Sequence, residues 1–325
     1  MIDESIKLSV MSDELKNKIK SQEFLESTGR RVILGVLLLS FSLLAHAGVN
    51  TDNGAGRVEC ASLKSNILTG ATVPYCALLP PSYDTAKDKR FPVLYFFHGL
   101  GGNEQALVQG GWNIIEDLEK RKKIGEFVII TPRAGNTFYI NSKNGKVRYE
   151  DFFVEEFIPA MEKKFRIASH REGRAISGAS MGGYGALRTA FKHPELFVAV
   201  SAHFPALIEH MPKGAELVAG SGRGSMGASF GTAFGIPLDP QFWDANTPFV
   251  YARKNDLKGL KIHFDCGDRD EFGFDVGTIA LHKLLTSRKI HHEYGIYPGG
   301  HNATFLTEHL PESMEFHSKA FGLAK

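Results

Sequence analysis

Residues 176–185 read I-S-G-A-S-M-G-G-Y-G, and within them Gly178, Ser180 and Gly182 form a G-x-S-x-G pattern. A serine hydroxyl becomes a useful nucleophile at a sharp strand-to-helix turn, where small flanking residues let the backbone bend and a carbonyl approach. The apolar stretch 175–177 reads as the strand and 183–191 as the helix. Serine alone is weak, so the chain must also supply a base within hydrogen-bond reach and an acid that orients the base. His301 is the candidate base: it follows the last strand-like run, in Y-P-G-G-H, where Gly299 and Gly300 permit a turn that swings an imidazole back over the serine. Two acids compete, Asp268 and Asp270, both in the C-G-D-R-D-E-F loop after the strand-like run 260–265. The order Ser, Asp, His, each at a strand end, suits acyl transfer.

Acyl transfer also needs backbone N–H groups aimed at the developing oxyanion. Met181, the residue after the serine, offers one at the positive end of the helix it opens. Leu100 in H-G-L-G-G (98–102) is the candidate for the other, and His98, last residue of its strand, reads as a hydrogen-bonding group that shapes that loop. Phe138, Tyr139 and Trp243, which follow strand ends, either line the substrate cleft or have an ordinary packing role.

These residues need a frame. Short apolar runs at 91–97, 127–131, 174–177, 197–201, 260–265 and 292–297 read as strands covered on both faces, with helical patterns at 112–122, 149–165, 183–191, 275–288 and after Ala303. The alternation predicts a mostly parallel sheet with helices on both faces. A hairpin of 57–63 and 72–79 brings the count to eight strands, with the nucleophile after the fifth. Opposed antiparallel, that hairpin sets Cys60 against Cys76 within disulfide range, with two unlinked cysteines as the other reading. Residues 210–247, rich in Gly, Ser and Pro, form either a lid over the sheet edge or a plain surface loop.

The chain has 325 residues, 43% of them hydrophobic, enough for one catalytic domain over 57–325 behind a glycine-rich linker at 48–56. With 38 basic against 36 acidic side chains it lacks the charge footprint of a nucleic-acid binder. The apolar run 32–45, with Arg30 and Arg31 ahead and Ala45-His46-Ala47 at its end, reads as an export signal cut after Ala47. It is shorter than the ~20 apolar residues a spanning helix needs. An uncleaved anchor is the alternative, and the long polar leader implies either a later true start or a twin-arginine signal. The product is then secreted or periplasmic.

Other patterns carry less. Gly222–Gly227 matches G-x-G-x-x-G without a strand before it and reads as loop. Glu155 and Glu156 are the wet side of a helix whose Phe153, Phe157 and Met161 face inward. His291 and His292 lack further ligand spacing, so neither metal nor cofactor is expected.

L-P-P-S-Y-D (79–84), H-G-L-G-G (98–102), R-Y-E-D-F (148–152), S-G-A-S-M-G-G-Y-G-A-L-R (177–188), H-P-E-L-F (193–197), D-P-Q-F-W-D-A-N-T-P (239–248) and C-G-D-R-D-E-F (266–272) occur in that order. Together they resemble the esterase D family of α/β-hydrolases, which holds feruloyl and acetyl xylan esterases, S-formylglutathione hydrolases and mycolyltransferases. The resemblance covers about residues 57–320. It implies the α/β-hydrolase fold, Ser180 as nucleophile, Asp270 as acid, His301 as base, and Leu100 and Met181 as oxyanion donors. The activity implied is hydrolysis of a small or carbohydrate-linked carboxylic ester through an acyl-enzyme. Acyl transfer to an alcohol, a thioesterase resembling S-formylglutathione hydrolase, and a non-catalytic binding protein are the alternatives. Ala179 stands where those thioesterases typically carry histidine, and mycolyltransferases usually lack the glycine at 182, so both specialised readings lose ground.

Overall fold

The computed structural model describes residues 56–211, 230–231, 233–235 and 237–323. The leader, its cleavage point, the linker up to residue 55, the Gly222–Gly227 run and the middle of the 210–247 segment lie outside them.

Eight strands form one sheet in the order β1-β2-β4-β3-β5-β6-β7-β8. They are β1 (Arg57–Lys64), β2 (Thr72–Leu79), β3 (Val93–Phe97), β4 (Val128–Pro132), β5 (Arg174–Gly178), β6 (Ala199–His203), β7 (Lys261–Gly267) and β8 (Glu293–Tyr297). β2 runs antiparallel to both β1 and β4, and the remaining pairs are parallel. Every residue of β3, β4 and β6 is buried, as helices on both faces require. The boundaries drift by one to two residues from the sequence reading. Phe91, for instance, makes only an isolated bridge to Ile167, because Pro92 has no N–H to carry the ladder further. Cys60 faces Cys76 in the hairpin and the two are joined; Cys266 is free and buried.

The helices are α1 (Trp112–Lys120), the composite α2, α3 (Met181–Lys192), α4 (Pro240–Asn246), α5 (Pro248–Lys254), α6 (Phe274–Ser287) and α7 (Ala303–Ala320). α3 lies on β3, β5 and β6 and beside α5; α7 lies on β6 and β7 and beside α1. Helix α2 runs through Tyr149–Asp151, a π-helical turn at Phe152–Phe157, and Ile158–Lys164. Phe152, Phe153 and Phe157 of this turn are all buried. Glu155 is exposed, but Glu156 departs from the sequence reading. Its carboxylate accepts from the Asn66 and Ile67 amides at 3.0 and 3.2 Å and so ties α2 to the β1–β2 turn. Among the described residues no helix is long and apolar enough to cross a membrane.

The pairing of β3 with β5, Phe97 opposite Gly178, delivers the 98–102 loop and the turn after β5 to one place. The β7–β8 pair, Gly267 opposite Tyr297, does the same for the loops carrying Asp270 and His301.

Candidate active site

Ser180 sits at the N-terminus of α3 with φ 56° and ψ −119°, a conformation costly for a residue with a Cβ and held only where the surroundings impose it. The two flanking glycines show what imposes it. A Cβ on Gly178 would overlap Gly182, and one on Gly182 would overlap the Phe97 carbonyl. β3, β5 and the first turn of α3 therefore meet backbone to backbone. The Ser180 amide donates to the His203 carbonyl at 3.0 Å, and the Ser180 carbonyl accepts from Ala206 at 3.0 Å.

His301 Nε2 lies 2.8 Å from Ser180 Oγ and its Nδ1 lies 2.7 Å from Asp270 Oδ2. Asp270 also accepts from the amides of Phe272 and Phe274 at 2.9 and 3.3 Å. Burial works against its ionisation, but the hydrogen bond and charge of His301, with those amides, hold the carboxyl below the ordinary aspartate range. Asp268 does other work: its carboxylate accepts from the Gly299 amide at 3.0 Å and braces the turn that carries His301. Glu271, which the sequence reading passed over, accepts from the His301 amide at 2.6 Å. No spacing signals that bond, because its partners come from different strand ends. The rings of Phe204, Phe272 and Phe274 stand 4.5, 4.8 and 5.4 Å from the imidazole, leaving the His301 side chain 11% exposed.

The Met181 amide opens α3, and neither it nor the Leu100 amide has an acceptor among the described residues. A Cβ on Gly99 would stand 3.5 Å from Ser180 Cβ, so the 98–102 loop lies against the serine. His98 anchors that loop. Its Nδ1 bonds the Gly99 carbonyl at 2.8 Å and its Nε2 accepts from the Ala134 amide at 2.9 Å. Burial lowers its pKa, which suits a neutral ring donating on one side and accepting on the other.

The family model described as "Esterase: Putative esterase" matches residues 66–316. The chain belongs to this esterase family. An esterase of Mycobacterium tuberculosis is 30% identical over 251 residues, covering 69% of this chain and 51% of the relative; the chain thus spans about half the length of that protein. An acetyl esterase of Caldicellulosiruptor saccharolyticus is 29% identical, covering 75% of this chain and 91% of its own. Among solved structures, a ferulic acid esterase superposes with TM-score 0.70 at 26% identity over 83% of this chain and 100% of the other. An S-formylglutathione hydrolase from Agrobacterium tumefaciens, at 18% identity and TM-score 0.67 over 85% of this chain and 99% of the other, shares the fold.

In this esterase-family chain Phe138, Tyr139 and Trp243 do not face an open cleft, because each is only 1% exposed. Phe138 and Trp243 belong to an aromatic cluster with Phe230 and Phe234. Tyr139 stacks on Phe97 at 3.8 Å and donates its hydroxyl to the His98 carbonyl at 2.9 Å. A strand-end position in the sequence names the sheet edge but not the direction of the side chain. Here positive φ at both 138 and 139, 52° and 57°, turns the rings inward. Three of the resemblance motifs also meet: buried Arg188 pairs with Glu150 at 3.0 Å and donates to Asn246 at 2.7 Å. That contact ties α3, directly behind the serine, to α2 and α4. No group of three or more His, Cys, Asp or Glu able to hold a metal occurs among the described residues.

Proposed function

We propose that this chain is a serine carboxylic-ester hydrolase working through an acyl-enzyme, on exported or extracellular acetyl, feruloyl or short-chain esters. The observation that carries the reading is the unbroken relay Asp270–His301–Ser180, with spacings of 2.7 and 2.8 Å, ending on a serine at a strained elbow.

Ser180 Oγ attacks the ester carbonyl as His301 Nε2 takes its proton, and the imidazolium is stabilised by the Asp270 carboxylate, which keeps its charge. The Leu100 and Met181 amides receive the oxyanion, a donor role worth roughly 3–4 kcal/mol each in comparable sites. Collapse of the tetrahedral intermediate breaks the C–O bond, and His301 returns the proton to the leaving alcohol. Water then attacks the acyl-enzyme with His301 as base, releasing the acid and restoring Ser180. The acetyl esterase and ferulic acid esterase likenesses support the substrate class.

Purified protein is assayed on p-nitrophenyl esters of increasing acyl length and on methyl hydroxycinnamates, beside Ser180→Ala. Turnover by the wild type, with a loss of about 10⁴-fold or more in the variant, is the expected outcome. Near-normal turnover by Ser180→Ala would sink the mechanism.

A further inference from the structure

Beneath the elbow lies a second Asp–His–Ser array. On β6, His203 Nδ1 is 2.9 Å from Asp265 Oδ2 on β7, and its Nε2 is 2.9 Å from Ser313 Oγ on α7. The order of atoms repeats that of Asp270, His301 and Ser180. Burial separates the two: Asp265, His203 and Ser313 are each 0% exposed. No ester carbonyl reaches Ser313, whose hydroxyl also bonds the Leu310 carbonyl at 3.0 Å, so the lower array is not a second centre of hydrolysis. Polar groups in such a place cost free energy unless paired. Asp265, His203 and Ser313 each have such a partner, and paired polar groups fix one arrangement of the elements they join.

Those elements carry the reacting groups. The His203 carbonyl accepts the Ser180 amide at 3.0 Å, and the Asp265 carbonyl accepts the Phe204 amide at 2.8 Å. Phe204 lays its ring 4.5 Å from the His301 imidazole. β7 ends at Gly267, two residues past Asp265, and the loop after it carries Asp270, while α7 starts at Ala303, just past His301. Two further bonds reach β5: Ser201 Oγ lies 2.8 Å from His317 Nε2 and 2.7 Å from Ser177 Oγ, three residues before the nucleophile.

We propose that Asp265, His203 and Ser313 are positioning residues that hold the Ser180 amide, Phe204 and β7 in the register that the upper relay needs. The inference rests on the hydrolase reading above and assigns the lower array no chemistry of its own.

The test compares wild type with Ser313→Ala, which deletes one hydroxyl, and Asp265→Asn, each with its active sites counted by exhaustive fluorophosphonate labelling. Loss of positioning lowers kcat per labelled site about 10- to 100-fold, as displacement of reacting groups does, slows labelling in proportion, and leaves KM within about twofold. A merely structural role instead lowers the number of labelled sites, each turning over at the wild-type rate, and that result overturns the proposal. If Asp265→Asn does not fold, Ser313→Ala decides alone. Ser180-dependent turnover in the wild type establishes the hydrolase reading separately; an inert wild type overturns both.

Discussion

Asp268 and Asp270 are two residues apart, yet one bonds a glycine amide and the other the imidazole. An amide in place of the orienting carboxylate favours the wrong imidazole tautomer, a change that costs roughly 10⁴ in kcat in a comparable triad. Asp270→Asn is expected to lose activity on that order. Asp268→Asn takes the charge off the carboxylate but leaves an oxygen that can still accept from the Gly299 amide, so it costs about 1 kcal/mol, and most of that loss falls on stability. Measuring kcat and Tm for both variants on one ester separates the roles; a dead Asp268→Asn beside an active Asp270→Asn reverses the assignment. The depressed pKa of Asp270 also fixes a sign. The stability it contributes is present above the ordinary aspartate value and is lost as pH falls through its lower folded value.

At the scale of elements, helix α1 carries a group with the opposite sign. Glu119 Oε2 is buried with no hydrogen-bond partner among the described residues, and burial, aided by the charges of Glu126 and Glu116, pushes its pKa up to about 8. The folded protein therefore keeps a proton that the unfolded chain releases above about pH 4.5, so this group's contribution falls as pH rises from about 4.5 to 8. Glu119→Gln removes the titration. We expect it to gain a few kcal/mol at pH 8, where the displacement from about 4.5 to about 8 is almost fully expressed, and nothing below pH 4.5. Thermal melts of both proteins across that range check it; a constant difference at every pH rules out the titration as the cause. The α2 segment teaches a related lesson. Its apolar period was legible as an amphipathic helix, but the π turn and the Glu156 tie to the hairpin depend on what packs around it.

For the whole molecule, the proposed export has one covalent correlate. If the 32–45 apolar run with its Ala45-His46-Ala47 end is an export signal, the Cys60–Cys76 bridge fits it, being a feature that oxidising compartments maintain. If the leader is cut after Ala47, the intact mass of protein recovered from the medium or periplasm corresponds to a chain starting at Gly48. A membrane-bound product that retains residues 32–45 identifies the run as an anchor instead.

The sequence by itself determined the fold class and offered Ser180, His301, Met181 and Leu100 as candidates, because turn chemistry and strand ends are local and leave a fixed-spacing imprint. The resemblance to a family singled out Asp270 from Asp268, which spacing alone left open. Tertiary structure decided what depends on direction and on distant partners. It turned Phe138, Tyr139 and Trp243 into the core, put Glu271 behind the His301 amide, and gathered Asp265, His203 and Ser313 from β6, β7 and α7 into one buried array. A side chain's direction is set by the backbone dihedrals of its loop and by what fills the space beside it, and neither is written within a few residues of it.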